Sequence, residues 1–387
     1  MEVIFFSNST LDSGISGGDV RFIEIAKRFA KRGVKVNVVT SRVGVETCKK
    51  MGLDVPFHVV DATGNSTVLA YIEKALRTCL SPPTISDETV LYTCHDFFCD
   101  VIPAAYFSWK YDIPWVAVIH WIESLPWKRG LEFGLEWVQG GLYNMSQTVT
   151  IPLIKSKATV VHAVSSHTAS QLLKVGVSRN RIRDVQCGID RTLIERSIEG
   201  INEKIYDAIY LKSLVRHKGI FDAIKIWRLV CDEIENAKLA IVGFGTDEQL
   251  AKVRGLISSL SLDKNVEYHG LIQVPERKFR ILKQSKLLLH PSYDENWGIV
   301  IGESMASGIP VVAYGLPVLR DVWRKGMISV PLGDLQQAAK AVLTLLRNQK
   351  RLIELSEEAH NYSYKYDWDI IADEELKSIE EISNRHK

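Results

Sequence analysis

Among the six cysteines, Cys48, Cys79, Cys94, Cys99, Cys187 and Cys231, no two form a C-x-x-C pair. That spacing argues against structural zinc and against a disulfide framework, and it fits reduced cytosolic thiols. Charge of one sign is also lacking. Forty-eight Lys and Arg face 46 Asp and Glu, a net charge of +2, so nothing demands nucleic acid as a partner. No apolar run reaches about 18 residues, so no membrane-spanning helix is expected. The first residues, MEVIFFSNST, hold a short apolar run with no basic segment before it, and read as a first strand rather than a signal peptide. The G-x-G-x-x-G fingerprint and the Gly-Lys-Ser/Thr of a P-loop are missing too.

What is present is a repeated alternation of short apolar runs with helical patterns. The runs at 3–6, 35–40, 57–60, 89–93, 115–120 and 159–164 read as strands. After about residue 200 the pattern restarts, with runs at 207–211, 238–243, 266–270, 286–290, 310–314 and 327–330. Continuous apolar strands separated by helices imply parallel sheets covered on both faces. Two series imply two doubly wound domains, in line with a prior of about 150 residues per domain. The seam is expected near 190–205, where the strand signal lapses and charge rises. In the first helix Phe22, Ile25, Ala26, Phe29 and Ala30 share a face, and Gly33 is a plausible stop. That helix also carries or adjoins Arg21, Lys27, Arg28, Lys31, Arg32 and Lys35. They read either as a solvated face or as an attraction to an anionic membrane.

Open parallel sheets bind ligands beyond the carboxyl ends of their strands, so chemistry is sought just after strands and in the cleft between two such sheets. After the first strand, Gly17-Gly18 opens a helix, either as a structural turn or as a close approach to a ligand. His120 ends the run 115–120, followed by Trp121-Ile122-Glu123. It is either a hydrogen-bonded structural residue or a group facing the cleft, and His95-Asp96 is a weaker case of the same placement. Arg216 and Lys218 precede a helix in the second half, either as an exposed charged turn or as cations suited to a diphosphate. The segment HPSYDENWGIVIGESMASGIPVV (290–312) is the most informative. A helix is expected from about Trp297-Gly298 to Ala306, with its first N–H groups free for a phosphate. Glu295 precedes it. Glu303 lies inside it among small and apolar residues, where a carboxylate needs a partner such as the hydroxyl pair of a ribose.

At this point the chain resembles the retaining GT-B glycosyltransferases, specifically glycosyltransferase family 4 (glycosyltransferases group 1). PSYDENWGIVIGESMASGIPVVA resembles that family's E-x7-E signature. SGGDVRFIEIAKRFAKRGVKVNVVTS, VIHWIES, SRNRIRDVQCGID, DAIYLKSLVRHKGIFDAIKIW and KYDWDIIADEEL resemble, in order, its Gly-Gly loop, its active-site His strand, the close of its first domain, its phosphate-contacting strand and its returning last helix. The resemblance implies an α/β fold of two Rossmann-like domains facing across a cleft. Residues 1–195 would form the acceptor-side domain, 196–366 the nucleotide-sugar domain, and 367–387 a helix returning to the first. It implies a hexosyltransferase-type enzyme that takes a sugar from a nucleotide-diphosphate donor with retention of configuration. Glu303 would hold the donor ribose and Glu295 the transferred sugar. Backbone N–H groups at Trp297 and Gly298 would meet sugar or diphosphate, and Lys218 would neutralise the diphosphate. His120 would lie beside the donor sugar, and Gly17 and Gly18 would shape the floor of the site. Glu295 and His120 are thus the catalytic candidates.

Four positions depart from the family pattern. Lys212-Ser213 stand where Gly-Arg is usual, so the phosphate Arg is missing, and Arg216 is the candidate replacement. Asn296 stands for a common glycine, with an amide that could add a contact. Trp297 stands for a usual Phe. No D-x-D motif sits where a metal-dependent transferase needs one, so no metal or resident cofactor is expected.

Five of the nine Trp residues, Trp109, Trp115, Trp121, Trp127 and Trp137, fall within 106–153, near Lys128 and Arg129. The segment reads as packing or as a membrane-interface or lipid contact. The sharper reading is a glycan or lipid-linked acceptor at a membrane surface. The enzyme would then be cytoplasmic, or peripheral on the inner face of the cell membrane. The alternatives are a nucleotide-sugar epimerase of similar architecture and a catalytically silent nucleotide-sugar-binding subunit.

Overall fold

The computed structural model describes residues 1–9, 16–63, 67–122 and 135–386, with the backbone alone described for 67 and 135–144. The chain divides into two compact units, one of Met1–Cys187 with Trp368–Lys387, the other of Gly188–Asp367. The second unit begins at Gly188, ahead of the expected seam. The helix Arg191–Ile198 buries Ile194 and packs within that unit, against the helices Pro275–Lys283 and Ile299–Ala306.

In the first unit, among the described residues, seven parallel strands are β1 (Glu2–Phe6), β2 (Lys35–Thr40), β3 (Phe57–Val59), β4 (Thr89–Thr93), β5 (Trp115–Ile119), β6 (Val160–Ala163) and β7 (Ile182–Asp184). Their order is β3-β2-β1-β4-β5-β6-β7. The second unit has β8 (Tyr206–Leu211), β9 (Leu239–Val242), β10 (Val266–Gly270), β11 (Ser285–His290), β12 (Val311–Tyr314) and β13 (Met327–Val330), in the order β10-β9-β8-β11-β12-β13. β4 and β5 are buried at every residue, as strands covered on both faces must be. Winding reverses between β1 and β4 in the first sheet and between β8 and β11 in the second. No crossover helix covers the carboxyl edge at such a reversal, so loops from both strands meet there. β7 lies in a stretch without a strand signal. It is a three-residue edge strand of sequence IRD, with one buried side chain, too short for periodicity to mark.

The last helix, Trp368–His386, belongs to the first unit and lies on the helix Gly17–Lys31. Its Glu375 is fully buried and pairs with the buried Arg21. Tyr92 Oη donates to Glu375 at 2.6 Å and His162 Nδ1 stands at 3.4 Å. Arg21 also donates to Tyr92 Oη at 3.1 Å and to the Gln186 carbonyl at 3.3 Å. Burial is the largest influence and would raise the Glu375 carboxyl, but Arg21, His162 and Tyr92 together hold it below its ordinary value. Arg28 meets Glu24 at 2.5 Å and Asp369 at 3.4 Å, and Arg32 meets Asp373 at 2.7 Å. Four of the basic residues in this region, Arg21, Lys27, Arg28 and Arg32, are therefore engaged by carboxylates. Two of those carboxylate sources, Glu375 and the Asp369–Asp373 pair, come from the last helix. Lys31 and Lys35, of the same region, are exposed.

The Trp-rich segment divides. Trp115 is core, with Nε1 donating to Thr93 Oγ1 at 3.3 Å, whereas Trp109 is 68% exposed. Glu123, Trp127, Lys128, Arg129 and the Trp137 side chain lie outside the described residues. A neighbouring helix, Thr67–Leu80, is inverted in polarity. It buries Tyr71, Lys74, Ala75 and Thr78 but exposes Leu69, Ile72, Leu76 and Leu80, the last at 85%.

Truncating Glu375 to Ala strands a buried guanidinium, a change that costs about 3–5 kcal/mol. Urea unfolding at pH 7 is expected to show that loss. A loss below about 1 kcal/mol would mean that Arg21 is satisfied without its partner.

Candidate functional site

In the second unit the reversal between β8 and β11 brings Lys212, the residue after β8, against Glu295, five residues after β11. Lys212 Nζ and Glu295 Oε1 form an ion pair. Lys218 Nζ stands 3.9 Å from the same oxygen and donates to the Asp294 carbonyl at 2.6 Å. His290 Nε2, at the end of β11, is 3.1 Å from it. Burial pushes the Glu295 carboxyl up, but Lys212 and Lys218 outweigh burial and hold it well below the usual carboxylate range. Burial lowers both Lys212 and His290, against the pull of Glu295. One carboxylate thus faces two lysines, with the Asp294 charge also acting on Lys212.

The turn that carries Lys218 is pinned by Tyr210, whose hydroxyl is 2.9 Å from the Ser213 carbonyl and 3.2 Å from that of Lys218. Arg216 is exposed on the same turn. The residue that joins the cluster is Lys212, noted in the sequence only as one half of the departure from Gly-Arg. Its place on the first position after an apolar strand was the available signal.

The helix Ile299–Ala306 starts at Gly298, whose φ of 89° is a left-handed conformation that favours glycine. Trp297, just before it, is buried. Its ring meets those of Trp323 at 4.7 Å and Tyr366 at 5.0 Å, and its carbonyl accepts from Trp323 Nε1 at 2.8 Å. This packing fixes the direction from which the chain enters the helix. Asn296 is half-buried beside Glu295. Glu303 already has a partner: Lys278 Nζ, from the helix Pro275–Lys283, is 2.7 Å away. That cation was not anticipated, because helical spacing marks it only as one more charge on a polar face.

In the first unit the reversal between β1 and β4 brings together Ser9 and His95. Ser9 Oγ is 3.0 Å from His95 Nδ1 and 2.8 Å from Asp100 Oδ2. His120, at the end of β5, is 6% exposed, and its ring lies 5.4 Å from that of His95. Its Nε2 is 3.0 Å from the Cys94 carbonyl, so it carries the proton and donates. The lone pair of His120 is therefore on Nδ1. Burial, with His95 and Arg21 nearby, pushes His120 down to about 3, so the ring is neutral. Gly17 is exposed at the helix start. A Cβ on Gly18 would lie 2.6 Å from His95 Nε2 and 3.1 Å from His120 Nε2, so the absence of a side chain lets both rings approach the helix. Among the described residues no group of three or more His, Cys, Asp or Glu is arranged to hold a metal ion, and no helix is long and apolar enough to cross a membrane.

Two Rossmann-like parallel-sheet units in one chain place the protein in the GT-B class of glycosyltransferase folds. Residues 192–366 match the family described as Glycosyl transferases group 1, and residues 15–193 match Glycosyltransferase Family 4. The chain belongs to this family of group 1, family 4 glycosyltransferases. It is 31% identical over 161 residues to phosphatidyl-myo-inositol mannosyltransferase of Mycobacterium leprae, covering 40% of each chain. It is 28% identical over 182 residues to poly(glycerol-phosphate) alpha-glucosyltransferase of Bacillus subtilis, covering 46% of this chain and 26% of that one. The chain thus spans less than half the length of these curated relatives. Anabaena HepE, solved with UDP and glucose, shares the fold with a TM-score of 0.74 at 17% identity, over 98% of this chain and 99% of that one.

Substituting Lys212 by Met leaves Glu295 nearly buried with only Lys218 and His290 beside it. The expected loss is about 3 kcal/mol at pH 7. Glu295 has a depressed carboxyl pKa, so its stabilising charge is present above the ordinary carboxylate value and lost as pH falls through the folded one. The gap between variant and parent in urea unfolding is therefore expected to narrow in acid, and a gap constant from pH 7 down to pH 3 would contradict the pairing.

Proposed function

We propose that this protein transfers a sugar from a nucleotide-diphosphate donor to an acceptor hydroxyl, with retention of anomeric configuration. The observation that carries the reading is the pairing of one carboxylate, Glu295, with two lysines at the reversal of the second sheet. As a sugar leaves its diphosphate, negative charge grows on the phosphate oxygens. Lys212, Lys218 and the start of the helix Ile299–Ala306 offer positive potential for it without a metal. Glu295 would then be freed toward hydroxyls of the transferred sugar as the lysines turn to phosphate. Glu303 would exchange Lys278 for the ribose hydroxyls. Trp297 and Gly298 would present backbone N–H groups, Asn296 a nearby amide, and Arg216 a cation at the rim of the turn. His120, neutral, would lie beside the donor sugar, and Gly17 and Gly18 would leave room for the sugars.

For the acceptor, the reading is a glycan or lipid-linked hydroxyl presented at a membrane surface. The exposed stripe of Leu69, Ile72, Leu76 and Leu80 supports it, together with exposed Trp109 beside Lys110, whose Nζ lies over the Tyr106 and Tyr111 rings at 5.5 and 5.0 Å. Such an apolar face with aromatic and cationic neighbours suits a lipid interface. The lipid acceptor in the name of the mycobacterial relative points the same way.

A thermal-shift panel of nucleotide sugars tests the donor, since a ligand that binds the folded state raises its melting temperature. Glu303→Ala is expected to weaken the stabilising donor by tenfold or more, a loss of about 1.4 kcal/mol. An unchanged affinity would remove Glu303 from the site. Vesicle co-sedimentation tests the acceptor side. The double change Leu69→Ser with Leu76→Ser is expected to reduce binding to anionic vesicles, and a parent protein that does not sediment at all would sink the membrane reading.

A further inference from the structure

Four cations in the region of the first helix are met by carboxylates, but those of a second basic segment are not. Residues 137–183 contain six Lys and Arg and no Asp or Glu, in a chain whose net charge is only +2. We propose that Lys155, Lys157, Lys174, Arg179 and Arg181 form a surface of the first unit that docks on the headgroups of an anionic lipid bilayer. This surface deepens the membrane-surface reading above, on which it rests, by naming the lipid charge and the side chains that meet it.

The topology gathers these residues. A helix that follows a parallel strand starts at the carboxyl edge of the sheet and ends at the amino edge. The helices Leu135–Lys157 and Ser166–Lys174 follow the neighbouring strands β5 and β6, so both end at that amino edge. Lys155 and Lys157 stand in the last turn of the first, and Lys174 closes the second. The chain then returns through Arg179–Arg181 into β7, at the border of the sheet beside β6. Contacts fix the grouping. A Cβ on Gly176 would lie 2.6 Å from Lys155 Nζ, so that ammonium rests against the turn after Lys174. Arg181 donates to the Ala158 carbonyl at 3.0 Å and to the carbonyl of Lys155.

Lys155, Lys157, Lys174 and Arg179 are exposed and Arg181 is half-buried. Among the described residues none of the five forms an ion pair with a carboxylate. The bordering acids are Asp184, which feels the charge of Arg179, and Glu381, which Arg183 meets at 3.8 Å. Cations in the last turn of a helix complement the negative end of its dipole, and this accounts for Lys155, Lys157 and Lys174 taken singly. It does not account for Arg179 and Arg181, which stand beyond the helix ends. Apolar side chains lie among the charges: Leu173 and Val175 are exposed. The helices Phe98–Tyr111 and Thr67–Leu80 end at the same edge, with exposed Trp109 and Leu80. A dissolved polyanion would use the cations alone, whereas a bilayer uses both, with apolar and aromatic side chains seated at headgroup level. Docked in this way, the carboxyl edge that carries His95 and His120 lies at the far end of the strands. That orientation suits an acceptor that extends from the bilayer as a chain.

Co-sedimentation of the full chain compares vesicles of phosphatidylcholine alone with vesicles that also contain phosphatidylglycerol, at low and at high salt. The parent is expected to prefer the anionic vesicles and to be released as salt rises. Lys174→Glu with Arg179→Glu is expected to weaken that binding by about tenfold or more, with the melting temperature unchanged. Lys340→Glu with Lys350→Glu, at exposed positions of the second unit, makes the same change in net charge and is expected to bind as the parent does. Equal weakening by both pairs, no weakening by the first, or equal binding of the parent to both kinds of vesicle overturns the surface and leaves the membrane reading standing. Binding of a DNA duplex without binding of vesicles, lost in the Lys174 and Arg179 variant, overturns the lipid as partner. A parent that sediments with no vesicle overturns the membrane reading and this surface with it.

Discussion

A parallel sheet wound in two directions leaves a place at its carboxyl edge that no crossover helix covers, and both units of this protein gather polar and charged side chains there. The two outcomes differ in kind. In the second unit Lys212 and Glu295 meet as full charges, with Lys218 and His290 beside them. In the first, Ser9, His95 and Asp100 meet as a line of hydrogen bonds. Every one of these side chains is at least largely withdrawn from water, and each is held by a partner. A nearly dry polar group is costly unless paired, so the pairs hold their geometry in the absence of ligand. The same dryness strengthens whatever electrostatic interaction a ligand makes on arrival.

Charge elsewhere in the chain is structural. The buried Arg21–Glu375 pair ties the last helix to the first, and Arg28 and Arg32 extend the contact through Asp369 and Asp373. A buried pair of this kind adds little net stability over an apolar pair, but removing one partner is expensive. Its effect is to specify which surface the last helix covers. Arg21, Lys27, Arg28 and Arg32, which in the sequence look free, are each paired with a carboxylate. The helix Thr67–Leu80 instead exposes an apolar stripe. Its inversion follows from the partners beneath it: Lys74 and Thr78 turn inward because Asn8 offers them hydrogen bonds at 2.9 and 3.2 Å.

What the sequence determined was the architecture. Runs of apolar residues such as 89–93 and 115–120 read as strands covered on both faces, and twelve of the thirteen strands among the described residues follow from such runs. Trp297-Gly298 marked the start of the helix Ile299–Ala306, and His95 was visible as a polar residue after a strand. Only the tertiary structure decided the pairings. Lys212 meets Glu295 across a gap of 83 residues, Lys278 meets Glu303 across 25, and Arg21 meets Glu375 across 354. Periodicity reports which face a residue shares with its near neighbours on one element. It carries nothing about which element the fold lays against that face, and an ion pair or a line of hydrogen bonds is set by that second fact alone.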